Sequence, residues 1–202
     1  MLAGLLLAAG GSSRMGGSPK AALKAPCGRT FAGRIIDVLA ESGVDNLFVV
    51  TGGHHDAIVS AVTADRPRRL PIFVKNPNPD RGQLSSLWVG MDHAITPDVE
   101  ALLVTLVDVP MITAEVVRQV IDGWRGTGAP IVRPAIGPQH GHPVLYDRSL
   151  FAALRTAPLE QGAKSVVRAH ATEILNVEVT DPGCLRDVDT PEDYRALDPG
   201  GG

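Results

Sequence analysis

The sequence is poor in aromatic residues, poor in cysteine and nearly balanced in charge. Aromatic residues make up 4% of the 202 residues, and the two cysteines, Cys27 and Cys184, match no metal-ligand or redox spacing. A disulfide is therefore not expected, which suits a reducing cytosol. The formal net charge of −3 gives no overall field that would attract a nucleic acid or an anionic membrane. We expect neither as a partner.

Long apolar runs are also missing. The N-terminal run over 5–9 is too short to span a membrane, and it lacks the cationic segment that precedes the apolar part of a secretory signal. We therefore predict a cytoplasmic protein. The length and the 44% hydrophobic content favour one domain over 1–198, with 199–202 as a frayed tail.

Strand-like runs alternate with helical patterns, which predicts an α/β fold of three α/β/α layers around a mostly parallel, Rossmann-like sheet. A helix over 31–41 is expected to end at Gly43, and Thr113 to cap a helix with Trp124 on its apolar face. A further helix opens at His54-His55, which we interpret as surface residues. Ligands bind at the carboxyl ends of the strands in such sheets. The predicted strands are 4–8, 46–51, 71–75, 101–107, 130–134, 143–146 and 174–179.

The loop after the first strand is rich in glycine, serine and positive charge. The run Gly10-Gly11-Ser12-Ser13 lets backbone N–H groups approach an anion, and Arg14 and Lys20 supply two cations. This combination is typical of a phosphate-binding loop. The spacing fits neither a P-loop nor the Gly-x-Gly-x-x-Gly fingerprint of dinucleotide-binding folds. On the loop alone, a flexible segment with solvated cations stays open as an alternative.

Two aspartates stand at the ends of local elements. Asp108 follows the buried run 101–107, so its carboxylate emerges where the strand stops. Asp189 precedes Thr190, which is expected to cap a short helix beginning at Pro191. Each aspartate alone could be a turn or cap residue. As a pair they also suit Mg²⁺, which typically takes one or two carboxylates plus phosphate oxygens.

Four segments, in this order, carry a family resemblance. They are Leu7–Gly16 with Lys20, Gly82–Leu87, Leu106–Pro110 and Asp187–Asp193, and they span nearly the whole chain. Together they resemble the nucleotidyltransferases of the molybdenum cofactor type, cytidylyltransferase-like members of the glycosyltransferase-A-like NTP-transferases. The resemblance implies a fold of the nucleotide-diphospho-sugar transferase type and transfer of a nucleoside monophosphate, with loss of pyrophosphate. It also implies Mg²⁺ as the cofactor, held by Asp108 and Asp189.

The resemblance assigns further roles residue by residue. Arg14, Lys20 and Asp108 are the expected catalytic residues, because the charge that builds on the leaving pyrophosphate must be stabilised, and no protein nucleophile is expected. The expected acceptor-binding residues are His140, Gly141 and His142. Zinc binding there is not expected, since no cysteine or carboxylate has a matching spacing. The expected nucleotide-binding residues are Leu7, Ala8, Ala9, Gly10, Gly11, Ser12, Ser13, Arg14, Lys20, Gly82, Gln83, Ser85 and Ser86.

Substrate choice follows from finer points of the same resemblance. Ala9 with Ser85 and Ser86 points to CTP, and a molybdopterin-type cofactor is the leading phosphorylated small-molecule acceptor. Two departures affect the acceptor. Ser18-Pro19 stands where many relatives have an acidic residue before the lysine, and the segment 160–164 lacks the central aspartate of many cytidylyltransferases.

Several alternatives stay open at this point. Within the class, a GTP-dependent guanylyltransferase or a cytidylyltransferase acting on a sugar or alcohol phosphate would use the same loop and aspartates. A non-catalytic nucleotide-binding protein would keep the fold without turnover, although both metal-binding aspartates are present. An NAD-dependent oxidoreductase is disfavoured by the missing dinucleotide fingerprint.

Overall fold

The computed structural model describes residues 1–10 and 18–197. The strands form one sheet, and each of the predicted strands is present with no end shifted by more than two residues. The short β6 was not predicted. The strands are β1 (Leu2–Ala8), β2 (Asn46–Thr51), β3 (Ile72–Lys75), β4 (Ala101–Leu106), β5 (Ile131–Ile136), β6 (Gln139–His140), β7 (Val144–Asp147) and β8 (Ile174–Glu178).

The sheet is mostly parallel, as predicted. Its order is β3-β2-β1-β4-β7-β5-β6, with β8 also pairing with β5. Strands β1 to β4 are mutually parallel, while β7 runs antiparallel to both β4 and β5, and β6 antiparallel to β5. Because β7 reverses direction between two forward strands, the loops at its ends bring the segment 137–143 toward the carboxyl ends of β1 and β4.

Helices cover both faces of the sheet, which confirms the three-layer α/β/α arrangement. One core lies on the face covered by α1 and α4, and the other on the face covered by α3, α5 and α6. The short helices α5 and α6 were not predicted. The helices are α1 (Phe31–Glu41), α2 (His55–Ala64), α3 (Gln83–Ala94), α4 (Ala114–Thr127), α5 (Phe151–Arg155), α6 (Lys164–Ala169) and α7 (Pro191–Arg195).

The central strand β1 shows why the sheet is buried on both faces. Successive side chains of a strand point to opposite faces, and Leu6 packs into one core while Leu5 and Leu7 pack into the other. Each such leucine contributes about 1.5–3 kcal/mol when fully buried. The end of β1 that precedes Gly10 is therefore held by packing on both faces of the sheet.

The helix ends agree with the sequence in one case and differ in another. Helix α1 is followed by Gly43 at φ +83°, the left-handed conformation that glycine adopts without strain. Thr113 occupies the N-cap position of α4, but its side chain makes no capping hydrogen bond, and its Oγ1 is buried without a partner among the described residues. Thr113 therefore occupies the predicted N-cap position, but the prediction of side-chain capping was wrong.

None of the helices within residues 1–10 and 18–197 has the length and apolar character needed to cross a membrane.

Candidate active site

The carboxyl ends of β1 and β4 lie side by side, because the two strands are parallel neighbours with Leu7 paired to Leu106. A cavity of about 360 Å³ opens at this edge of the sheet, and we call it the first cavity. It brings together residues from all four of the resembling segments. The lining residues are Leu7, Ala8, Ala9, Gly10, Lys20, Ala21, Pro79, Gly82, Gln83, Ser86, Leu106, Val107, Asp108 and Asp189.

Asp108 lies just beyond the end of β4 and lines the first cavity. Its Oδ1 atom is buried and has no hydrogen-bond partner in the described part of the chain. Burial and the nearby negative charge of Asp187 raise the pKa of Asp108 from 3.8 to about 6; Lys20 opposes this shift and Asp189 adds to it. An unpartnered carboxylate under repulsion from its neighbours gains from a bound cation.

Asp189 reaches the same cavity from the C-terminal segment. The Val188 backbone N–H donates to the Asp108 carbonyl oxygen at 2.7 Å, which joins the two aspartate segments. Lys20 Nζ donates to Asp189 Oδ1 at 2.5 Å, and the lysine side chain is only 14% exposed. Lys20, Asp108 and Asp189, which are far apart in sequence, therefore meet around one cavity.

The C-terminal segment is held in place by the predicted cap of α7. The Thr190 side chain accepts from the Asp193 backbone N–H, and the Asp193 carboxylate accepts in return from the Thr190 backbone N–H. The Asp189 backbone N–H also donates to Asp193 Oδ2 at 3.1 Å. This reciprocal capping box fixes the backbone that carries Asp189.

The first cavity fits a hard divalent cation. Asp108 and Asp189 offer carboxylate oxygens, the donors that Mg²⁺ prefers, and Oδ1 of Asp108 is otherwise unpartnered. Within the described ranges, no group of three or more His, Cys, Asp or Glu side chains is arranged to hold a metal. Mg²⁺ typically binds one or two carboxylates and completes its coordination with water and substrate phosphates.

The Gly82 segment forms the opposite wall. Gly82 adopts φ +91° and ψ 177°, a region that essentially only glycine enters, and it immediately precedes α3. Gln83 and Ser86 line the first cavity, whereas Ser85 is buried with its hydroxyl donating to the Gly82 carbonyl oxygen at 2.7 Å. Of the two serines expected to bind nucleotide, Ser86 thus faces the cavity and Ser85 stabilises the turn.

A second cavity of about 490 Å³ adjoins the first and shares Leu7, Gln83 and Leu106 with it. Its walls combine apolar and polar side chains, and its cationic groups are Arg133 and Lys164. The further lining residues are Leu84, Leu87, Val104, His140, Gly141, His142, Val144, Tyr146, Leu159, Glu160, Gln161, Gly162, Ala163 and Val167.

The three residues expected to bind the acceptor all line this second cavity. Gly141 packs so closely that an added Cβ would lie 2.2 Å from the Cys184 carbonyl oxygen, and the His142 N–H donates to that same oxygen at 2.9 Å. Burial lowers the pKa of His142 to about 4, so its ring is neutral near pH 7. Burial and the charge of Arg133 lower the pKa of the exposed His140.

Four expected nucleotide-binding residues, Gly11, Ser12, Ser13 and Arg14, lie outside the described residues. The structure also shows residues at or beside the two cavities to which the sequence analysis assigned no role. Asp187 contributes charge beside Asp108, Asn76 bonds to both serines of α3, and Arg133 and Lys164 bring positive charge to the second cavity. Asp187 and Lys164 lay inside segments that the sequence singled out, whereas Asn76 and Arg133 did not.

The sequence and fold are similar to those of known proteins. A family model described as "MobA-like NTP transferase domain" matches residues 4–174. Nicotine blue oxidoreductase of Paenarthrobacter nicotinovorans is 28% identical over 202 residues, covering 96% of this chain and 95% of that protein. A probable molybdenum cofactor guanylyltransferase of Rhodopirellula baltica is 27% identical over 196 residues, covering 95% of this chain and 89% of that protein.

Crystal structures of Rv0371c from Mycobacterium tuberculosis H37Rv share the fold. One superposes with a TM-score of 0.78 at 28% identity, covering 98% of this chain and 97% of that chain. The other, a complex with manganese, has a TM-score of 0.73 at 27% identity and covers 99% of each chain.

Proposed function

The chain belongs to the MobA-like NTP transferase family and is a nucleotidyltransferase, and from that premise we propose that it transfers CMP from CTP to a phosphorylated small-molecule acceptor, releasing pyrophosphate. A molybdopterin-type cofactor is the leading acceptor. Mg²⁺ as the metal and the cytoplasm as the location belong to the same proposal.

The observation that carries the proposal is the shared wall between the two cavities. Leu7, Gln83 and Leu106 line both, so a nucleotide in the first cavity and an acceptor in the second would be neighbours. Holding two reactants side by side is a large part of what catalysis of group transfer requires. The cavities also differ in charge, since the first carries two aspartates with Lys20, and the second carries Arg133 and Lys164 with Glu160.

The first cavity supplies the charges that nucleotidyl transfer needs. Asp108 and Asp189 would hold Mg²⁺, which when bound neutralises phosphate charge and stabilises the leaving pyrophosphate. The Lys20 ammonium would stabilise the same developing charge. An oxygen of the acceptor phosphate attacks the α-phosphorus, and the bond from that phosphorus to the bridging oxygen breaks with its electron pair leaving on pyrophosphate. Arg14 keeps the catalytic role expected from the sequence.

The second cavity offers apolar surface on which a ring system could pack. Leu87, Val144 and Leu159 contribute this surface, and polar side chains that include Tyr146 and Gln161 line the same cavity. Lys164 and Arg133 offer positive charge for an acceptor phosphate. The relative from Rhodopirellula baltica, which is named for a molybdenum cofactor, supports the same choice of acceptor.

The test is a pyrophosphate-release assay with Mg²⁺, each of CTP, GTP, UTP and ATP, and a panel of acceptors. We expect release with CTP and a molybdopterin-type acceptor, and none with a sugar phosphate. Selective use of GTP would overturn the base assignment and favour guanylyl transfer, the activity named for the same relative. Absence of release with every pair of substrates, from a folded protein, would overturn the proposed reaction.

An oxidoreductase is the second candidate, because the relative from Paenarthrobacter nicotinovorans bears that name. The sequence lacks the dinucleotide fingerprint, so we expect no binding of NADH or NADPH. A fluorescence titration decides this point: saturable quenching of NADH with a micromolar dissociation constant would favour the oxidoreductase over the transferase.

A further inference from the structure

Asn76 lies beside the first cavity, only 2% exposed, with its amide group fully engaged. Its Nδ2 donates to Ser85 Oγ at 2.9 Å and to Ser86 Oγ at 3.0 Å. Its Oδ1 accepts from the Asn78 backbone N–H at 2.9 Å. Because a backbone N–H can only donate, the atom facing Asn78 must be the oxygen, which fixes the orientation of the amide.

This orientation decides how Ser86 can bond. A hydroxyl carries one hydrogen and two lone pairs, and Asn76 occupies a lone pair of Ser86 Oγ. The Ser86 hydrogen has no acceptor among the described residues, although Ser86 lines the first cavity. Ser85 differs, because its hydroxyl donates to the carbonyl oxygen of Gly82. Of the pair bonded to Asn76, Ser86 is therefore the serine that can offer its hydrogen to a ligand.

We propose that Asn76 is a positioning residue for nucleobase selection, holding Ser86 so that its hydroxyl hydrogen is offered to an acceptor atom of the base. That acceptor is a carbonyl oxygen or an unprotonated ring nitrogen, such as O2 or N3 of cytosine. Asn76 acts through Ser86 and does not itself contact the nucleotide. The inference rests on the proposed function, since it takes the base of a nucleoside triphosphate to lie in the first cavity.

Calorimetric titration of CTP, GTP, UTP and ATP with Mg²⁺ tests the inference. Ser86→Ala is expected to weaken binding of the preferred nucleotide about 2- to 12-fold, the range for one net hydrogen bond, and to weaken the others less. Asn76→Asp puts a carboxylate where the amide donated, so it accepts the Ser86 hydrogen and causes a similar loss of selectivity. In the Ser86→Ala background, Asn76→Asp should change selectivity no further.

Ser42→Ala is the matched control, because Ser42 is also buried but donates to the Val38 carbonyl oxygen, far from the cavity in sequence and fold. Its nucleotide selectivity should equal that of wild type. Equal weakening of all four nucleotides by Ser86→Ala, or no weakening, overturns the inference. So does a selectivity change from Asn76→Asp that persists without the Ser86 hydroxyl.

The remaining outcomes are also decisive. Where Asn76→Asp does not fold, as judged by thermal unfolding, unchanged nucleotide selectivity in Ser86→Ala still overturns the inference. A folded wild-type protein that binds none of the four nucleotides contradicts the proposed function itself. Selective nucleotide binding that Ser86→Ala leaves unchanged contradicts only the role of Asn76 and Ser86.

Discussion

Asp108→Asn in the metal-free protein should raise stability while it lowers activity. The carboxylate of Asp108 is buried beside Asp187 and Asp189, and its Oδ1 atom has no partner in the described chain. Ionising it in the folded protein is therefore costly. Asparagine keeps the shape of the side chain and removes the charge, so the repulsion is relieved.

The magnitude follows from the pKa of Asp108. Its rise from 3.8 to about 6 corresponds to about 3 kcal/mol of destabilisation, as an upper figure, once the group is ionised in both states. The sign is that of a carboxyl group whose pKa is raised in the folded state: well below pH 3.8 the group is protonated in both states and costs nothing. The cost grows as the pH rises between about 4 and 6 and is complete above that range.

Urea unfolding of both proteins in EDTA, at pH 4 and at pH 7.5, measures this difference. We expect Asp108→Asn to be more stable by up to about 3 kcal/mol at pH 7.5 and nearly equal to wild type at pH 4. Pyrophosphate release with metal should fall about 10²-fold or more, because the cation loses a ligand. A variant that is less stable than wild type at pH 7.5, or an advantage of the same size at pH 4, would refute the reasoning.

Other perturbations address the remaining parts of the site. Lys20→Ala should lower turnover about 10²- to 10³-fold while the thermal transition persists, and unchanged turnover would remove its charge-stabilising role. EDTA should abolish pyrophosphate release, and addition of Mg²⁺ or Mn²⁺ should restore it; full activity in EDTA would exclude the metal. Gly141→Ala should cost about 1–3 kcal/mol in unfolding free energy and raise the acceptor KM, because its Cβ meets the Cys184 carbonyl oxygen at 2.2 Å. Gly126→Ala in α4, where an added Cβ meets nothing within 4 Å, is the control and should be neutral or stabilising. Burial would raise the pKa of Asp65, but hydrogen bonds from Lys24 and Thr30 lower it below its usual value. The Asp65 carboxylate therefore stabilises the folded protein above about pH 4, and this stabilisation is lost as the pH falls through the lowered pKa of the folded state. The difference in unfolding free energy between wild type and Asp65→Asn should decrease in acid, and an increase would contradict this reasoning.

The sequence predicts the sheet and the convergence of charges for the same physical reason. The side chains of a mainly apolar run such as 101–106 leave water on both sides only when the strand is buried on both faces of a sheet. Parallel strands bring their carboxyl ends to one edge of that sheet. Asp108 and the loop before Lys20 follow such runs directly. They meet at one cavity because the strands that precede them are parallel, and the hydrophobic pattern that predicts parallel strands can be read from a single sequence.

The second cavity could not be predicted in the same way. Arg133 and Tyr146 face it because β7 and β5 pair antiparallel, with Ile131 opposite Tyr146, and nothing in the local pattern fixes the direction of β7. The close packing of Gly141 on Cys184 joins segments more than forty residues apart. Such contacts depend on register, and a shift of one residue in register would turn each side chain to the other face.

The direction of side-chain hydrogen bonds is the property that is hardest to predict from the sequence. The proposed nucleobase selectivity depends on it. Ser85 and Ser86 are adjacent and chemically identical, yet one hydroxyl closes a turn and the other keeps its hydrogen for the cavity. The difference is set by Asn76, whose own orientation is set by a backbone N–H two residues later. In the proposed role of Asn76, nucleobase selectivity depends on a chain of donors and acceptors that only the folded backbone can order, because the Asn78 N–H orients the Asn76 amide and that amide occupies a lone pair of Ser86.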